Sequence, residues 1–258
     1  MNRLTWLGHA TVVIDLSDTR LLTDPLLRRH AGPLRRIGRR PDPHAWAHPD
    51  AVLISHLHSD HAALGSLRKL VGIPMLTGPA NAAWLRRKLD AEAPALTTEE
   101  WVQVADVRVR LVRADHSARP MPHRPNDTHG HLIAAPGLTV WFAGDTSLYP
   151  EMSDLPTLAG TPIDVALLPI AGWGPRLSPG HMGPRQAVDA CLAVGARAVL
   201  PIHHGTLHPP GFSAGDLAWM HRPLAEFRTD LAERAPQVRL LDVGLGESVD
   251  LDDYSGAP

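Results

Sequence analysis

Four of the six residues in His56-Leu57-His58-Ser59-Asp60-His61 are side chains that bind metals or move protons. They follow at once on the apolar run Ala51-Val52-Leu53-Ile54-Ser55, which has the length and composition of a buried strand. Residues two apart in an extended chain point the same way, so His56 and His58 can approach one ion together. Asp60 and His61 lie at the turn into the next segment and can face a second ion beside it. With 16 histidines in 258 residues, the chance expectation for such a pattern is about 0.005 per chain. A cluster of this kind needs a buried strand behind it and other loops converging upon it. Three apolar runs offer such loops. Val109-Arg110-Leu111-Val112 leads to Asp115-His116, Val140-Trp141-Phe142-Ala143 to Gly144-Asp145, and Val199-Leu200-Pro201-Ile202 to His203. In layered α/β sheets, sites gather beyond the carboxyl ends of strands. Brought together, these four segments make a dinuclear metal site.

Composition narrows the classes around that site. The single cysteine, Cys191, excludes an internal disulfide framework and a multi-cysteine zinc site. It sits among Val188, Leu192 and Val194 and is expected in the core. Lys and Arg total 25 against 27 Asp and Glu, a net charge of −2, so no global field draws in nucleic acid or anionic membrane. No stretch approaches the roughly 18–20 apolar residues of a membrane span. Met1-Asn2-Arg3 run straight into a strand-like segment rather than a secretory signal. The expectation is one domain over residues 1–258, located in the cytoplasm, with self-association left open.

The rest of the chain alternates strand-like and helix-like segments. Short β runs are expected at 4–7, 11–16, 21–23, 51–55, 73–77, 102–104, 107–112, 131–134, 139–143, 165–169, 197–202, 238–243 and 247–251. Helical spacing marks 62–71, 79–89, 184–194 and much of 216–233. Residues 28–50 lose periodicity and read as a long loop, and 252–258 as a frayed end. Without a strict strand–helix–strand rhythm, mixed sheets with helices outside are expected.

These segments resemble the metallo-β-lactamase superfamily over nearly the whole chain. The carriers are Leu21-Leu22-Thr23-Asp24-Pro25, the 56–61 hexamer, His116, Gly144-Asp145-Thr146 and Pro201-Ile202-His203-His204-Gly205-Thr206, in that order. Within it, Trp6-Leu7-Gly8-His9-Ala10-Thr11, Gly32-Pro33-Leu34-Arg35-Arg36, Leu168-Pro169-Ile170 and His181-Met182-Gly183-Pro184 resemble the L-ascorbate-6-phosphate lactonases and the N-acylphosphatidylethanolamine-hydrolysing phospholipases D. The resemblance implies an α/β fold, a four-layer αββα sandwich with two mixed sheets and helices outside. It implies that His56, His58 and His116 hold one metal, that Asp60, His61 and His203 hold the other, and that Asp145 bridges. Asp24 would support a ligating histidine, and His181 would face the substrate. Seven N/O ligands without a thiolate suit zinc first, with manganese or iron as alternatives. Two such ions can share a hydroxide that Asp60 orients or relieves of its proton.

Substrate contacts are less sharply written. Residues 171–184 offer Trp173, Arg176 and His181 to a ligand. The arginines between 28 and 40 are either a solvated face or a local anion clamp. His123, His129 and His131 read as solvated loop or strand residues. His204 stands where the phospholipase-like branch carries Trp, and no membrane-binding element is evident, which disfavours an N-acylphospholipid. The reading is a metal-dependent hydrolase using a metal-bound hydroxide on an ester, lactone or phosphodiester of a small anionic substrate. A nuclease of the same fold and a non-catalytic metal-binding regulatory protein are the alternatives. A nuclease should show a wide basic surface, which the net charge disfavours.

Overall fold

β-branched and leucine-rich runs bounded by Gly, Pro and Asp become strands because their side chains pack on a pleated surface. In a computed structural model, which describes residues 1–116, 123–125, 127–172, 174–211 and 215–254, the strands are β1 (Arg3–Gly8), β2 (Thr11–Leu16), β3 (Thr19–Thr23), β4 (His30–Ala31), β5 (Leu34–Arg36), β6 (Ala51–Leu53), β7 (Met75–Leu76), β8 (Val102–Val104), β9 (Val107–Arg113), β10 (His129–Ala135), β11 (Leu138–Phe142), β12 (Val165–Pro169), β13 (Ala198–Ile202), β14 (Leu207–His208), β15 (Arg239–Leu240) and β16 (Ser248–Asp250). The helices are α1 (Pro43–Trp46), α2 (Leu64–Leu67), α3 (Pro79–Leu89), α4 (Leu155–Ala159), α5 (Pro184–Val194) and α6 (Arg222–Arg234).

Two sheets dominate. One runs β16-β1-β2-β3-β6-β7, the other β15-β13-β12-β11-β10-β9-β8. Both are mixed: β1, β2 and β3 pair antiparallel, while β3 and β6 pair parallel. In the second sheet β9, β10 and β11 are antiparallel and β11, β12 and β13 parallel. Side chains alternate between faces along a strand. Leu4, Val12, Ile14 and Leu53 therefore meet Val109, Leu111, Phe142 and Leu200 in a core between the sheets. On the other face of the first sheet, Val13, Leu22 and Val52 pack against Trp84 and Leu85 of α3. On the outer face of the second, Leu132, Ala166 and Val199 pack against Val188 and Cys191 of α5 and Phe227 of α6. The layers are thus helix, sheet, sheet, helix, as the resemblance implied. Cys191 lies in that outer core, where burial pushes its thiol up to about 12.

Helices α3 and α5 begin at proline and have the expected bounds. A proline at the first helical position loses no hydrogen bond. Each ends in a left-handed residue, Asp90 or Gly195.

Several boundaries differ from expectation. Residues 28–50 are not a plain loop: β4 and β5 join β14 in a small third sheet, and Asp42 caps α1 by accepting from His44 N at 3.0 Å. The helix expected over 62–71 is only α2, because His61 and Ala62 are still in the turn, both donating to His58 O. Residues 252–254 form a 3₁₀ turn with Tyr254 buried, rather than fraying. His131 is fully buried in β10 instead of solvated, and burial pushes its imidazole down to about 3.

Candidate metal centre

The strands β1, β3, β6, β9, β11 and β13 all point the same way, so their carboxyl ends share one edge of the sandwich. His9, Asp24, His56, His116, Asp145 and His203 each follow one of these ends. The backbone there is strained in three places: His9, Asp24 and His203 have φ of 56°, 29° and 60°. Non-glycine residues adopt such values at a cost that the surrounding packing must meet. At Gly144 the need is steric as well, since a Cβ would lie 2.6 Å from Ser55 Cβ. This close approach brings the loop carrying Asp145 against the end of β6.

Hydrogen bonds fix which nitrogen of each ring faces inward. Asp24 accepts from Ser55 N at 2.8 Å, from Ser55 Oγ at 2.5 Å and from His61 Nδ1 at 2.7 Å. Ser55 Oγ in turn accepts from His56 Nδ1 at 2.9 Å. His203 Nδ1 donates to Ala171 O at 2.8 Å, and His116 Nδ1 to Gly180 O at 2.7 Å. With Nδ1–H committed in all four, the Nε2 lone pairs of His56, His61, His116 and His203 turn toward the interior.

The inward atoms form two groups joined by one carboxylate. His56, His58 and His116 gather on one side, with His116 Nε2 3.2 Å from His58 Nδ1. His61, His203, Asp60 and His9 gather on the other, with His61 Nε2 3.2 Å from His203 Nε2. Asp145 lies between: Oδ2 is 3.1 Å from His61 Nε2 and 3.9 Å from both His56 Nε2 and His116 Nε2, while Oδ1 is 3.2 Å from His203 Nε2.

The two halves differ in charge. Burial works against ionising Asp60 and Asp145, yet the facing His61 and His203 imidazoles hold both carboxyls well below the usual range. Burial likewise opposes charging His61 and His203. The carboxylates win there, raising His61 well above its ordinary value and His203 to about 9. On the other side burial dominates: His56 falls well below its ordinary value and His116 to about 4.

The structure brings together His56, His58, Asp60, His61, His116, Asp145 and His203, with Asp24 beneath His61. His181 joins them, its Nε2 3.2 Å from Asp145 Oδ2 while Ser178 Oγ lies 3.0 Å from its Nδ1. Arg176 is exposed on the same loop, and Trp173 lies outside the described residues. His204 turns away, buried against Trp6 with ring centroids 4.9 Å apart. His9 went unassigned in the sequence. It reaches the site through the Gly8-His9 turn after β1, and its Nε2 donates to Asp60 Oδ2 at 3.1 Å. Burial and the neighbouring His203 push His9 down to about 3, so it is a neutral donor. The signal was a histidine just past the end of a strand, the placement that marked His116 and His203.

An α/β sandwich with a histidine–carboxylate cluster at one edge defines the class, and the comparisons define the family. Residues 19–204 match the family model described as beta-lactamase superfamily domain. The chain is 30% identical over 257 residues to a UPF0173 metal-dependent hydrolase of Nitratidesulfovibrio vulgaris, covering 97% of this chain and 95% of that protein. It therefore belongs to the beta-lactamase superfamily and is a metal-dependent hydrolase. Among solved structures it is similar to Igni18, a metallo hydrolase from Ignicoccus hospitalis, with TM-score 0.74, 21% identity and 96% and 97% of the two chains covered. It also superposes on CmlA, a diiron β-hydroxylase from Streptomyces venezuelae, with TM-score 0.73 and 17% identity, over 97% of this chain and 54% of that one. One fold thus carries two chemistries.

The residues fit a bound metal. His61 Nε2 and His203 Nε2 lie 3.2 Å apart while both Nδ1 atoms are already hydrogen-bonded, so one ion could take both nitrogens. Among the described residues, His56 Nε2 and Asp145 Oδ1 are buried and have no hydrogen-bond partner. Buried polar atoms of this kind are rarely left unmet unless an ion or water completes them.

Proposed function

We propose that the protein is a dinuclear-metal hydrolase acting on an ester, lactone or phosphodiester bond of a small anionic substrate. The observation that supports this most is the pair of inward-facing ligand sets sharing Asp145. His56, His58 and His116 would hold one ion, and Asp60, His61 and His203 the other, with zinc first by donor type and manganese or iron next. Such a pair supplies Lewis-acid polarisation of the substrate oxygen and a water of lowered pKa.

The chain's own residues do the rest. Asp60 takes up the proton of the attacking water, and His9 orients that carboxylate by donating to Oδ2. Asp24 fixes the tautomer of His61 directly and that of His56 through Ser55. His181, whose Nε2 lies 3.2 Å from Asp145 Oδ2, would donate a hydrogen bond to the substrate oxygen that gains charge. Arg176, exposed on the loop before it, would meet the anionic end of the substrate. A hydrolytic rather than oxidative outcome agrees with the full-length relatives, which are metal-dependent hydrolases.

A substrate panel on metal-loaded protein tests the reading. Lactones, phosphodiesters, phosphomonoesters, thioesters and β-lactams should be offered side by side. Turnover of a lactone, ester or phosphodiester is expected, and it should be lost on chelation. Turnover confined to β-lactams or thioesters would contradict the assignment.

A further inference from the structure

Part of the arginine surface is neutralised. Arg3, Arg20, Arg113, Arg197, Arg228 and Arg234 each lie within 3.0 Å of a carboxylate oxygen. The segment from Leu27 to Trp46 gathers cations without that pairing. Among the described residues, no carboxylate comes within 4.0 Å of Arg29, Arg39, Arg40 or Lys69. These four cations line one cavity of about 560 Å³ together with Trp46 and Asp42. That volume falls in the usual small-molecule range of roughly 300–1,000 Å³.

The walls are held in place. Arg36, buried at the heart of the segment, donates to Leu26 O at 3.1 Å and to Leu7 O. Strand β5 pairs with β14, so the chain enters the pocket from a fixed sheet. Asp42, the one acid among the described residues lining the pocket, is engaged in capping α1 through His44 N. Lys69 sits over the Trp46 ring at 5.9 Å, joining the end of α2 to α1. None of the residues gathered at the metal centre lines this cavity.

Four unpaired cations and one acid leave a local charge of +3 in a chain whose net charge is −2. Holding such charges together without a counter-ion costs free energy, and guanidinium groups grip phosphate in bidentate fashion. One phosphate group brings about −1.5 to −2, so two are needed to match +3. A single carboxylate falls short. We propose that this pocket is a separate anion site that takes a small molecule carrying two or more phosphate groups. Four cations around one cavity favour a small ligand over a nucleic-acid strand, which would track a stripe of charge. The inference goes beyond the hydrolase reading and does not depend on it, because the site is tested by binding alone.

Isothermal titration calorimetry with inorganic pyrophosphate on metal-loaded protein is the test. Arg39→Gln/Arg40→Gln should weaken pyrophosphate binding at least tenfold with metal content and melting temperature unchanged. Lys69→Gln, on a different element, should weaken it in the same direction. Inorganic phosphate should bind more weakly than pyrophosphate. Equal pyrophosphate affinity in wild type and both variants would overturn the proposal, since the anion would then be held at the metals. A short single-stranded oligonucleotide that bound more tightly than pyrophosphate, and lost that affinity in the same variants, would overturn it in favour of nucleic acid.

Discussion

Asp60 and Asp24 show how two buried aspartates near the same histidines divide their work. Asp60 is partly exposed and touches His9, while Asp24 is sealed beneath His61 and Ser55. Asp60→Ala should lower kcat by roughly 10²–10⁴-fold, as for a lost general base, with the fold intact. Near-normal kcat would remove Asp60 from the chemistry. Asp24→Asn should act differently, because it disturbs the tautomer of a ligand and not the nucleophile. Metal affinity is expected to fall about 10–100-fold, measured by competition with a chelator. His181→Ala should keep its full metal content yet lose roughly 10²-fold in kcat. Loss of metal instead would make His181 a ligand, which its 3.2 Å approach to Asp145 makes worth measuring. At this scale the sequence was readable wherever a histidine or aspartate closed an apolar run. His9 was missed because Gly8-His9 looks like an ordinary turn. Its importance comes from the φ of 102° at Gly8, where a Cβ would strike Arg36, and from a partner, Asp60, far along the chain.

Among the elements, the segment between β3 and β6 was the least legible. Its strands β4 and β5 are two and three residues long. Their hydrogen-bonding partner, β14, lies near the other end of the chain. No local periodicity announces a pairing of that kind. Nor does a sequence distinguish a buried arginine from five exposed ones; only the carbonyls of Leu7 and Leu26 converging on Arg36 do so. Arg36→Ala should leave both carbonyls buried without a donor. The expected loss of stability is about 1.5–3 kcal/mol, by analogy with other charge-assisted hydrogen bonds. Chemical denaturation checks it, and a loss below about 0.5 kcal/mol, the ordinary surface range, would mean the clamp is dispensable. By contrast α3, α5 and β12 matched their expected bounds. Each is closed by strong local signals: proline at the helix starts, a left-handed residue at the helix ends, and a continuous apolar run in β12.

For the molecule as a whole, mixed sheets with helices outside followed from the strand-like and helix-like runs, and the four layers from the family resemblance. The burial of His131 did not, since a histidine inside β10 gives no sign of which face it takes. It has a consequence for acid stability. In the unfolded chain imidazole titrates near 6.5, whereas in the fold His131 is pushed down to about 3. The unfolded state binds the proton that the folded state refuses. The contribution of His131 is therefore complete above about pH 6.5 and erodes as the pH falls toward 3, by up to about 1.4 kcal/mol per pH unit. His131→Leu should lose about 2 kcal/mol less than wild type between pH 6.5 and 5 in chemical denaturation. Parallel profiles would contradict the assignment.

The central claim is that two ligand sets share Asp145, and metal stoichiometry reads it most directly. Protein purified without chelator and saturated with zinc, then freed of excess, should contain two ions per chain by elemental analysis. Asp145→Ala should hold fewer. A metal-replete wild type that never exceeds one ion per chain would contradict the account.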